Sequence, residues 1–266
     1  MPVRIAILPC ADVVKTFISF APLARHIEKE TGRRVSIIVP KSSDAFVSLI
    51  EQGECEFAYQ AAHVYVRLAD SYNQDSLLSA LTPSGERQHY GVLIVRKDSG
   101  IQKISDLKGK SILFGTKTST VKSIAAQMLL ESHGLKVDED LADYSHDNSC
   151  EASALNVYLK VFDAAFMCDY SYHSLMKPGE KEYPIPQGSL AVIGKTMKVP
   201  TWIFAAMRQT DESLVTAVKR ALLGLTVTRG QDREIMETAE IGGFVTAQDS
   251  DYQSDDKKSL FTTVAP

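Results

Sequence analysis

Hydroxyl side chains cluster in the segment FGTKTSTVKS, residues 114–123, directly after a short apolar run. The cluster comprises Thr116, Thr118, Ser119 and Thr120. An amphipathic pattern continues from it to about His133, which predicts that these residues lie at the start of a helix. The first N–H groups of a helix have no intrahelical acceptors, and the helix dipole makes that end partly positive. A helix start of this kind, with rotatable hydroxyl donors beside it, is suited to bind an oxyanion.

The same cluster has a simpler interpretation, because serine and threonine are the usual N-cap residues of helices. Four hydroxyls exceed what capping requires, so anion binding and capping both stay open. A nucleotide P-loop is excluded, since the chain has no GxxxxGK[ST] motif.

Patterns that mark catalytic or metal centres are missing from the sequence. It contains no GxSxG elbow, no HExxH and no pair of carboxylates at catalytic spacing. The four cysteines, at positions 10, 55, 150 and 168, are far apart and form no CxxC pair. This spacing argues against a zinc site and gives no disulfide framework. We therefore predict no enzyme, no metal and no cofactor, and small buried thiols are the simplest interpretation of the cysteines.

Composition is that of an ordinary globular chain, with 266 residues, 44% hydrophobic and 23% charged. The net charge of −4 comes without any basic block, which excludes a nucleic-acid surface. No apolar run approaches the roughly 20 residues that span a bilayer. The chain starts with a strand-like run where a signal peptide would need a charged and then a long apolar region. Either a cytoplasmic protein or a processed or excised chain is consistent with that start.

Apolar runs of strand length alternate with amphipathic helical runs, which is typical of α/β layering. Predicted strands lie at 3–8, 35–39, 57–59, 90–95, 111–114, 161–167, 189–193 and 202–207. Predicted helices lie at about 17–31, 44–50, 64–68, 120–133, 149–159 and 211–223, and the remaining C-terminal part is predicted to be helical and polar. Because residues 96–195 form a self-contained α/β set, we predict one lobe from 1–95 with 196–266 and a second from 96–195.

Several stretches carry a resemblance to a known family. They are FAPLARHIEKETGRRV (20–35), SSDAFVSLIEQGECEFAYQAAHVYVRLAD (42–70), YGVLIVRKDSGIQKISDLKGKSILFGTKTST (90–120), CEASALNVYLKVFDAAFM (150–167) and FVTAQDSDYQ (244–253). In order and spacing they resemble the PhnD family, the phosphonate/phosphite/phosphate-binding proteins that deliver ligand to bacterial ABC importers. The resemblance covers essentially the whole chain.

This resemblance implies a type II periplasmic-binding-protein fold, an α/β architecture of two lobes joined by two crossover strands with a ligand cleft between them. The family holds phosphonate oxygens with a Ser-Thr pair at a helix start, a tyrosine and a histidine. Ser119 and Thr120 match the Ser-Thr pair, with Thr118 just before them, and Tyr90 matches the tyrosine that precedes a crossover strand.

Three departures limit what is carried over. A third family hydroxyl is replaced by Val121, which would contribute only its backbone N–H. A first-lobe tyrosine aligns near Ser43, which with Ser42 is predicted to stand at a helix start. Cys150 replaces the family histidine, and His146 is a candidate substitute for it.

Residues after the third strand are further candidates for the ligand site. Tyr59 and Gln60 are predicted ligand contacts, whereas His63 is assigned to the following helix.

The family's acidic residues for an aminoalkyl group have no secure counterpart. Thr201 and Trp202 stand where one is expected, and Asp169 is interpreted as a solvated strand-end carboxylate. We therefore predict a ligand other than 2-aminoethylphosphonate.

Three cysteines follow strands or open helices at the ends that face the cleft in this fold. They are Cys10, Cys150 and Cys168. A thiol at a helix start has more thiolate character than usual, which would favour a soft ligand. Some PhnD-like proteins are signalling receptors, so a sensor of arsenite or of a sulfur oxyanion is an alternative. A Cys10–Cys168 disulfide or plain burial is the simpler interpretation.

The favoured function is capture of a small oxyanion, such as a phosphonate, phosphite or phosphate, for an ABC importer. The expected partners are that oxyanion and an ABC permease or, in the alternative, a membrane sensor kinase. The chain is expected to be a monomer, and to be periplasmic or anchored outside the cytoplasmic membrane. An enzyme built on the same fold is a third possibility, since folds of this kind host enzymes too.

Overall fold

The computed structural model describes residues 2–9, 12–147, 149–177 and 184–252. The chain divides into two compact units: unit 1 is Met1–Gln88 with Pro200–Pro266, and unit 2 is His89–Val199. Among the described residues, no helix is both long and apolar enough to cross a bilayer.

The strands are short and distributed along the whole chain. They are β1 Val3–Ile7, β2 Val35–Ile38, β3 Phe57–Gln60, β4 Leu78–Ala80, β5 Gln88–His89, β6 Gly91–Arg96, β7 Ser111–Phe114, β8 Asp143–His146, β9 Ala164–Cys168, β10 Leu190–Lys195, β11 Val199–Pro200, β12 Ile203–Ala206 and β13 Phe244–Thr246. The chain passes from one unit to the other within β5 and β11.

The helices alternate with these strands. They are α1 Val13–Thr31, α2 Ser43–Glu51, α3 Ala62–Arg67, α4 Ala125–Ser132, α5 Val137–Asp140, α6 Cys150–Tyr158, α7 Asp169–Met176, α8 Glu212–Leu223 and α9 Gly230–Thr238. A π-helical turn, Thr120–Ile124, runs directly into α4.

Unit 1 is built on a six-stranded sheet in the order β13-β4-β12-β3-β1-β2. β1 is parallel to β2 and β3, while β12 is antiparallel to β3 and β4. Helix α1 buries Phe20, Leu23 and Ile27 against this sheet, because their spacing of three to four residues places them on one helical face. The helix ends at Gly32, whose φ of 65° is the left-handed conformation that closes helices and that glycine adopts readily.

Unit 2 has its own core around a five-stranded sheet in the order β10-β6-β9-β7-β8. β7 is parallel to β8 and β9, and β6 is antiparallel to β9 and β10. The core includes Leu93, Ile112, Phe114, Leu130 and Phe166, all fully buried. Since parallel strands end at the same edge of a sheet, the segments after β7 and β9 are brought together.

The strands and helices that carry strong hydrophobic periodicity are confirmed, and the differences concern weaker signals. The C-terminal part is not wholly helical, because β13 pairs with β4 there. β8 also escaped prediction, since the sequence DYSH of this strand is mostly exposed. The strand predicted at 161–167 begins only at Ala164, because Lys160 has a φ of 65° and Val161 donates back to the carbonyl of Asn156.

The division into units also differs from the predicted limits of 1–95 with 196–266 and 96–195. Strand β6 hydrogen-bonds to β9 and β10 along its length, so residues 91–95 belong to the sheet of unit 2. A single strand pattern does not show which neighbours the strand will have.

Candidate functional site

The predicted helix start is present in unit 2, and it begins with a π-helical turn. Ser119 is the N-cap of the π-helical turn, and its hydroxyl accepts a hydrogen bond from the N–H of Lys122 at 3.2 Å. The Ser119 carbonyl accepts from the N–H groups of Ser123 and Ile124, both at 3.1 Å. The N–H groups of Thr120 and Val121 belong to the first turn, where intrahelical acceptors are absent. Ser119 therefore caps this helix start, and its part in anion binding stays a prediction.

Gly115 makes this sharp entry into the helix possible. A Cβ atom at this position would lie 2.4 Å from Cβ of Lys122 and 3.1 Å from Cβ of Ser119. Its N–H donates to the carbonyl of Lys122 at 2.9 Å. The lack of a side chain at Gly115 thus lets the helix start fold back over the end of β7.

Strand pairing brings the other predicted residues of unit 2 to the same place. Gly91 in β6 pairs in register with Cys168 in β9. A Cβ atom on Gly91 would lie 2.5 Å from the carbonyl oxygen of Val121, so β6 and the helix start are in close backbone contact. Tyr90 directly precedes Gly91 and lies beside this contact.

The backbone of Tyr90 is hydrogen-bonded to Asp169, the residue that follows β9. Its N–H donates to the carboxylate of Asp169 at 3.4 Å, and its carbonyl accepts from the Asp169 N–H at 3.0 Å. Asp169 is therefore not the solvated carboxylate that the sequence predicted. Burial raises the pKa of its carboxyl, and hydrogen bonds from backbone N–H groups, that of Tyr90 included, oppose this rise. The ammonium group of Lys195 lies 5.5 Å above the Tyr90 ring.

Lys122 is the residue of this region that sequence reasoning missed. Its side chain passes over Gly115 and is only 8% exposed. The pKa of Cys150 is lowered first by a hydrogen bond from Cys168, and the positive charge of Lys122 adds to this. A lysine is rarely buried this far without a polar or anionic neighbour. Its position two residues after Thr120, on the first turn, was the available signal.

Cys150 begins α6, and it lies against the end of β9. The N–H of Cys168 donates to the Cys150 sulfur at 3.4 Å, and the two thiols are hydrogen-bonded to each other. Both are buried free thiols. Cys168 is therefore buried as a free thiol, one of the two simpler alternatives, and not in a disulfide with Cys10, which lies outside the described residues.

Two histidines also approach this edge. His146 ends β8, and its Nδ1 is 2.6 Å from the carbonyl of Gly115. Because a carbonyl can only accept, Nδ1 carries the proton of that bond. His89 is 6% exposed, its ring lies 6.0 Å from that of Tyr170, and its Nδ1 makes no hydrogen bond within the described chain. Burial lowers the pKa of His89 to about 4, so this imidazole is neutral at pH 7.

In unit 1, the predicted hydroxyls lie at the start of α2. Ser42 is the N-cap, and its exposed hydroxyl accepts from the N–H of Ala45 at 3.1 Å. Ser43 is the first residue of the helix and is half-buried. This helix start has the same capping geometry as Ser119 but presents it on an exposed segment.

Tyr59 and Gln60 end β3 and are enclosed by the core of unit 1. Tyr59 packs its ring 5.1 Å from the rings of Phe20 and Trp202. Gln60 is completely buried, its side-chain carbonyl accepts from the hydroxyl of Tyr72 at 2.9 Å, and its Nε2 has no partner among the described residues. Both remain predicted ligand contacts, although the structure already gives Tyr59 a packing role.

The remaining candidate residues of unit 1 take part in hydrogen bonding and packing within that unit. His63 lies on α3 as predicted, and burial lowers its pKa to about 4. The hydroxyl of Thr201 bonds to the carbonyls of Ala80 and Arg87 and to Ser79. Trp202 packs against the core of unit 1.

Within the described ranges, no group of three or more histidine, cysteine, aspartate or glutamate residues is arranged to hold a metal ion.

The architecture is that of the type II periplasmic binding proteins. The chain forms two α/β units, and it crosses between them twice. Each unit has a core of parallel strands that is extended by antiparallel strands. The predicted fold class is confirmed.

Comparisons with known proteins agree with this class. The family described as "ABC transporter, phosphonate, periplasmic substrate-binding protein" matches residues 5–252. The chain therefore belongs to this family of substrate-binding proteins. The assignment supports transport over a signalling role, and these proteins are not enzymes. It also implies a small-molecule ligand, a membrane permease as partner and a location outside the cytoplasm.

Solved structures show the same fold at low identity. PhnD1 from Prochlorococcus marinus (MIT 9301), in complex with methylphosphonate, is 14% identical with a TM-score of 0.81, over 98% of this chain and 97% of that one. A binding-protein component of an ABC phosphonate transporter from Pseudomonas aeruginosa is 14% identical with a TM-score of 0.76, over 94% and 83%. A Xanthomonas citri protein bound to chloride ion is 16% identical with a TM-score of 0.75, over 98% and 96%.

Proposed function

We propose that this chain binds a phosphorus oxyanion, with a phosphonate such as methylphosphonate as first choice and phosphite or phosphate as further candidates. The proposal is supported above all by the convergence of a capped helix start, a tyrosine and a buried lysine at one edge of unit 2. PhnD1, a protein of the same fold, was solved with methylphosphonate.

The helix start supplies the main contacts in this proposal. The hydroxyls of Ser119 and Thr120 and the N–H of Val121 donate to the oxyanion, with Thr118 at the rim. The hydroxyl of Tyr90, just before β6, is a further proposed donor. An anion at a helix start is favoured by the helix dipole and by backbone N–H groups that point outward there.

Positive charge near this edge comes from Lys122 and Lys195. Neutral His89 offers a further N–H donor without adding charge.

Unit 1 is proposed to supply further ligand contacts. They are the hydroxyls of Ser42 and Ser43 at the start of α2, together with Tyr59 and Gln60 at the end of β3.

Binding strength follows from the number of charge-assisted hydrogen bonds. Each contributes about 1.5–3 kcal/mol. Five to seven such bonds, less the entropy of association, give about micromolar or tighter affinity.

The test is titration calorimetry with methylphosphonate, phosphite, phosphate and sulfate. We expect a phosphorus oxyanion to bind, and Ser119→Ala and Thr120→Val to weaken it by about ten- to a hundredfold each, since each removes one charge-assisted bond. Ser132→Ala is the matched control, because Ser132 is the exposed last residue of α4 at the opposite end of the same helical segment. Equal affinity of Ser119→Ala and Ser132→Ala for the bound anion would refute the proposed site.

We further propose that the chain acts as a monomer and is periplasmic or anchored at the outer face of the membrane. Light scattering of the purified protein tests the monomer. Fractionation of cells that express the full gene product tests the location, and recovery in the cytoplasm would contradict it.

A further inference from the structure

The thiol pair at the edge of unit 2 combines three features that the anion-binding proposal does not require. Cys150 begins α6, Cys168 ends β9, and the strand residue donates its N–H to the Cys150 sulfur at 3.4 Å. The two thiols are hydrogen-bonded to each other, and both are free and 8% exposed. Cys55, by contrast, is a buried thiol for which no hydrogen bond to another thiol is seen in the described chain.

The surroundings make the two thiols chemically unequal. The hydrogen bond from Cys168 and the positive charge of Lys122 lower the pKa of Cys150, although its burial opposes this. The pKa of Cys168 is raised, first by its bond to Cys150 and then by burial. A thiolate is the nucleophile in thiol–disulfide exchange, and Cys150 is therefore the attacking residue of the pair.

We propose that Cys150 and Cys168 form a reversible intramolecular disulfide, which makes this edge of unit 2 an oxidation site. The two thiols face each other, and the hydrogen bond between them must shorten to the S–S bond length of about 2.05 Å for the disulfide to form. The extracytoplasmic location of the family is an oxidising environment, in which such bonds persist.

The oxidant in this proposal is a disulfide, either glutathione disulfide or the active-site disulfide of an oxidoreductase. The Cys150 thiolate attacks one sulfur of that disulfide, which forms a mixed disulfide and releases one thiolate. Cys168 then loses its proton to solvent and attacks the Cys150 sulfur, which releases the second thiolate. Two protein thiols are oxidised and one disulfide is reduced to two thiols.

Oxidation also changes the charge beside the proposed anion site, and this step rests on the proposed function. The reduced pair places thiolate character next to Lys122, where it repels an incoming oxyanion. The disulfide is neutral, so this repulsion is then absent. We expect the oxidised protein to bind the anion severalfold more tightly than the reduced protein.

The disulfide is tested in a glutathione redox buffer, with alkylation of remaining thiols and peptide mass spectrometry. In the wild type and in a Cys10→Ser/Cys55→Ser variant, we expect a dithiothreitol-reversible bond between the peptides of Cys150 and Cys168. The variant Cys168→Ser should retain glutathione on Cys150, whereas Cys150→Ser should leave Cys168 unmodified. A bond from Cys168 to Cys10, or two thiols that stay reduced in the wild type, would overturn the proposal.

The effect on binding is measured separately, by calorimetry with methylphosphonate on oxidised and reduced wild type. Tighter binding after oxidation, absent in Cys150→Ser/Cys168→Ser but kept in Cys55→Ser, supports the coupling. Equal affinities of the two forms would refute the coupling. If the disulfide forms and neither state binds methylphosphonate, phosphite or phosphate, the proposed function fails while the oxidation site stands.

Discussion

The carboxyl ends of the strands in unit 1 and unit 2 both carry polar residues, but the two units use them differently. In unit 2, Ser119, Tyr90 and Cys150 are gathered at one edge by strand register and by backbone contacts. In unit 1, Tyr59 packs between the rings of Phe20 and Trp202, and Gln60 is buried with a hydrogen bond from the hydroxyl of Tyr72.

A polar residue at a strand end can therefore serve packing or recognition, depending on its neighbours. In an aromatic cluster, the side chain contributes mainly through the apolar surface that it buries. A helix start with a cap leaves donors directed along the helix axis. A substitution at Tyr59 should therefore affect mainly stability, and one at Ser119 mainly binding.

The largest expected effect is the loss of the Tyr59 ring. Tyr59→Ala should lower the free energy of unfolding by about 3–5 kcal/mol, because it empties a buried aromatic site between Phe20 and Trp202. Urea denaturation measures this change. Tyr59→Phe keeps the ring and is the control: a large loss of anion affinity in this variant would show that the hydroxyl binds ligand and would weaken the contrast between the units.

Acidification should destabilise both units through one buried histidine in each. The pKa of His63 and of His89 is about 4 in the folded protein, against about 6.5 in an unfolded chain. The unfolded state binds protons below pH 6.5 and the folded state does not, so stability is lost as the pH falls from 6.5 toward 4. Each histidine should cost about 2 kcal/mol at pH 5 relative to pH 7.

Unfolding at pH 7 and pH 5 tests this expectation. His63→Gln and His89→Gln should each remove one share of the pH dependence. If only one variant does so, only one of the two units is destabilised by protonation of its buried histidine.

A methyl group on Gly91 should disturb unit 2 more than its size suggests. Gly91→Ala places a Cβ atom 2.5 Å from the carbonyl oxygen of Val121, so the helix start must shift. We expect a loss of about 1–3 kcal/mol in stability, together with weaker anion binding by calorimetry. Gly230→Ala in unit 1 is the control, since nothing lies within 4 Å of its Cβ position. A similar loss of stability in Gly230→Ala would show that the contact between Gly91 and Val121 is not the cause.

The smallest expected change in stability is that of the Ser119 cap. Ser119→Ala should lower stability by about 1 kcal/mol, like Asp211→Ala, which removes the cap of α8 in unit 1. Thermal unfolding compares the two. Their anion affinities should differ, because Ser119 belongs to the proposed site and Asp211 does not; equal affinities would leave Ser119 as a cap alone.

Much of the fold was predictable because apolar periodicity is strong in the buried elements, such as α1 and β9. The polar edge strand β8 and the short strand β13 were not predictable, since their places depend on pairing partners far along the chain. Within the candidate site, Ser119 and Tyr90 were found from the hydroxyl cluster and from the family resemblance. Lys122 and His89 were missed, because burial of a charged or polar side chain is not visible in a local pattern.

The sequence by itself determined the α/β class, the helix start at Ser119 and the family to which the chain belongs. These depend on local order and on residue types, which a linear pattern preserves. Tertiary structure decided that Cys150 meets Cys168, that Gly91 abuts Val121 and that Lys122 is buried among them. Such contacts arise from strand register and close packing between residues distant in the chain, and therefore only the folded molecule specifies them.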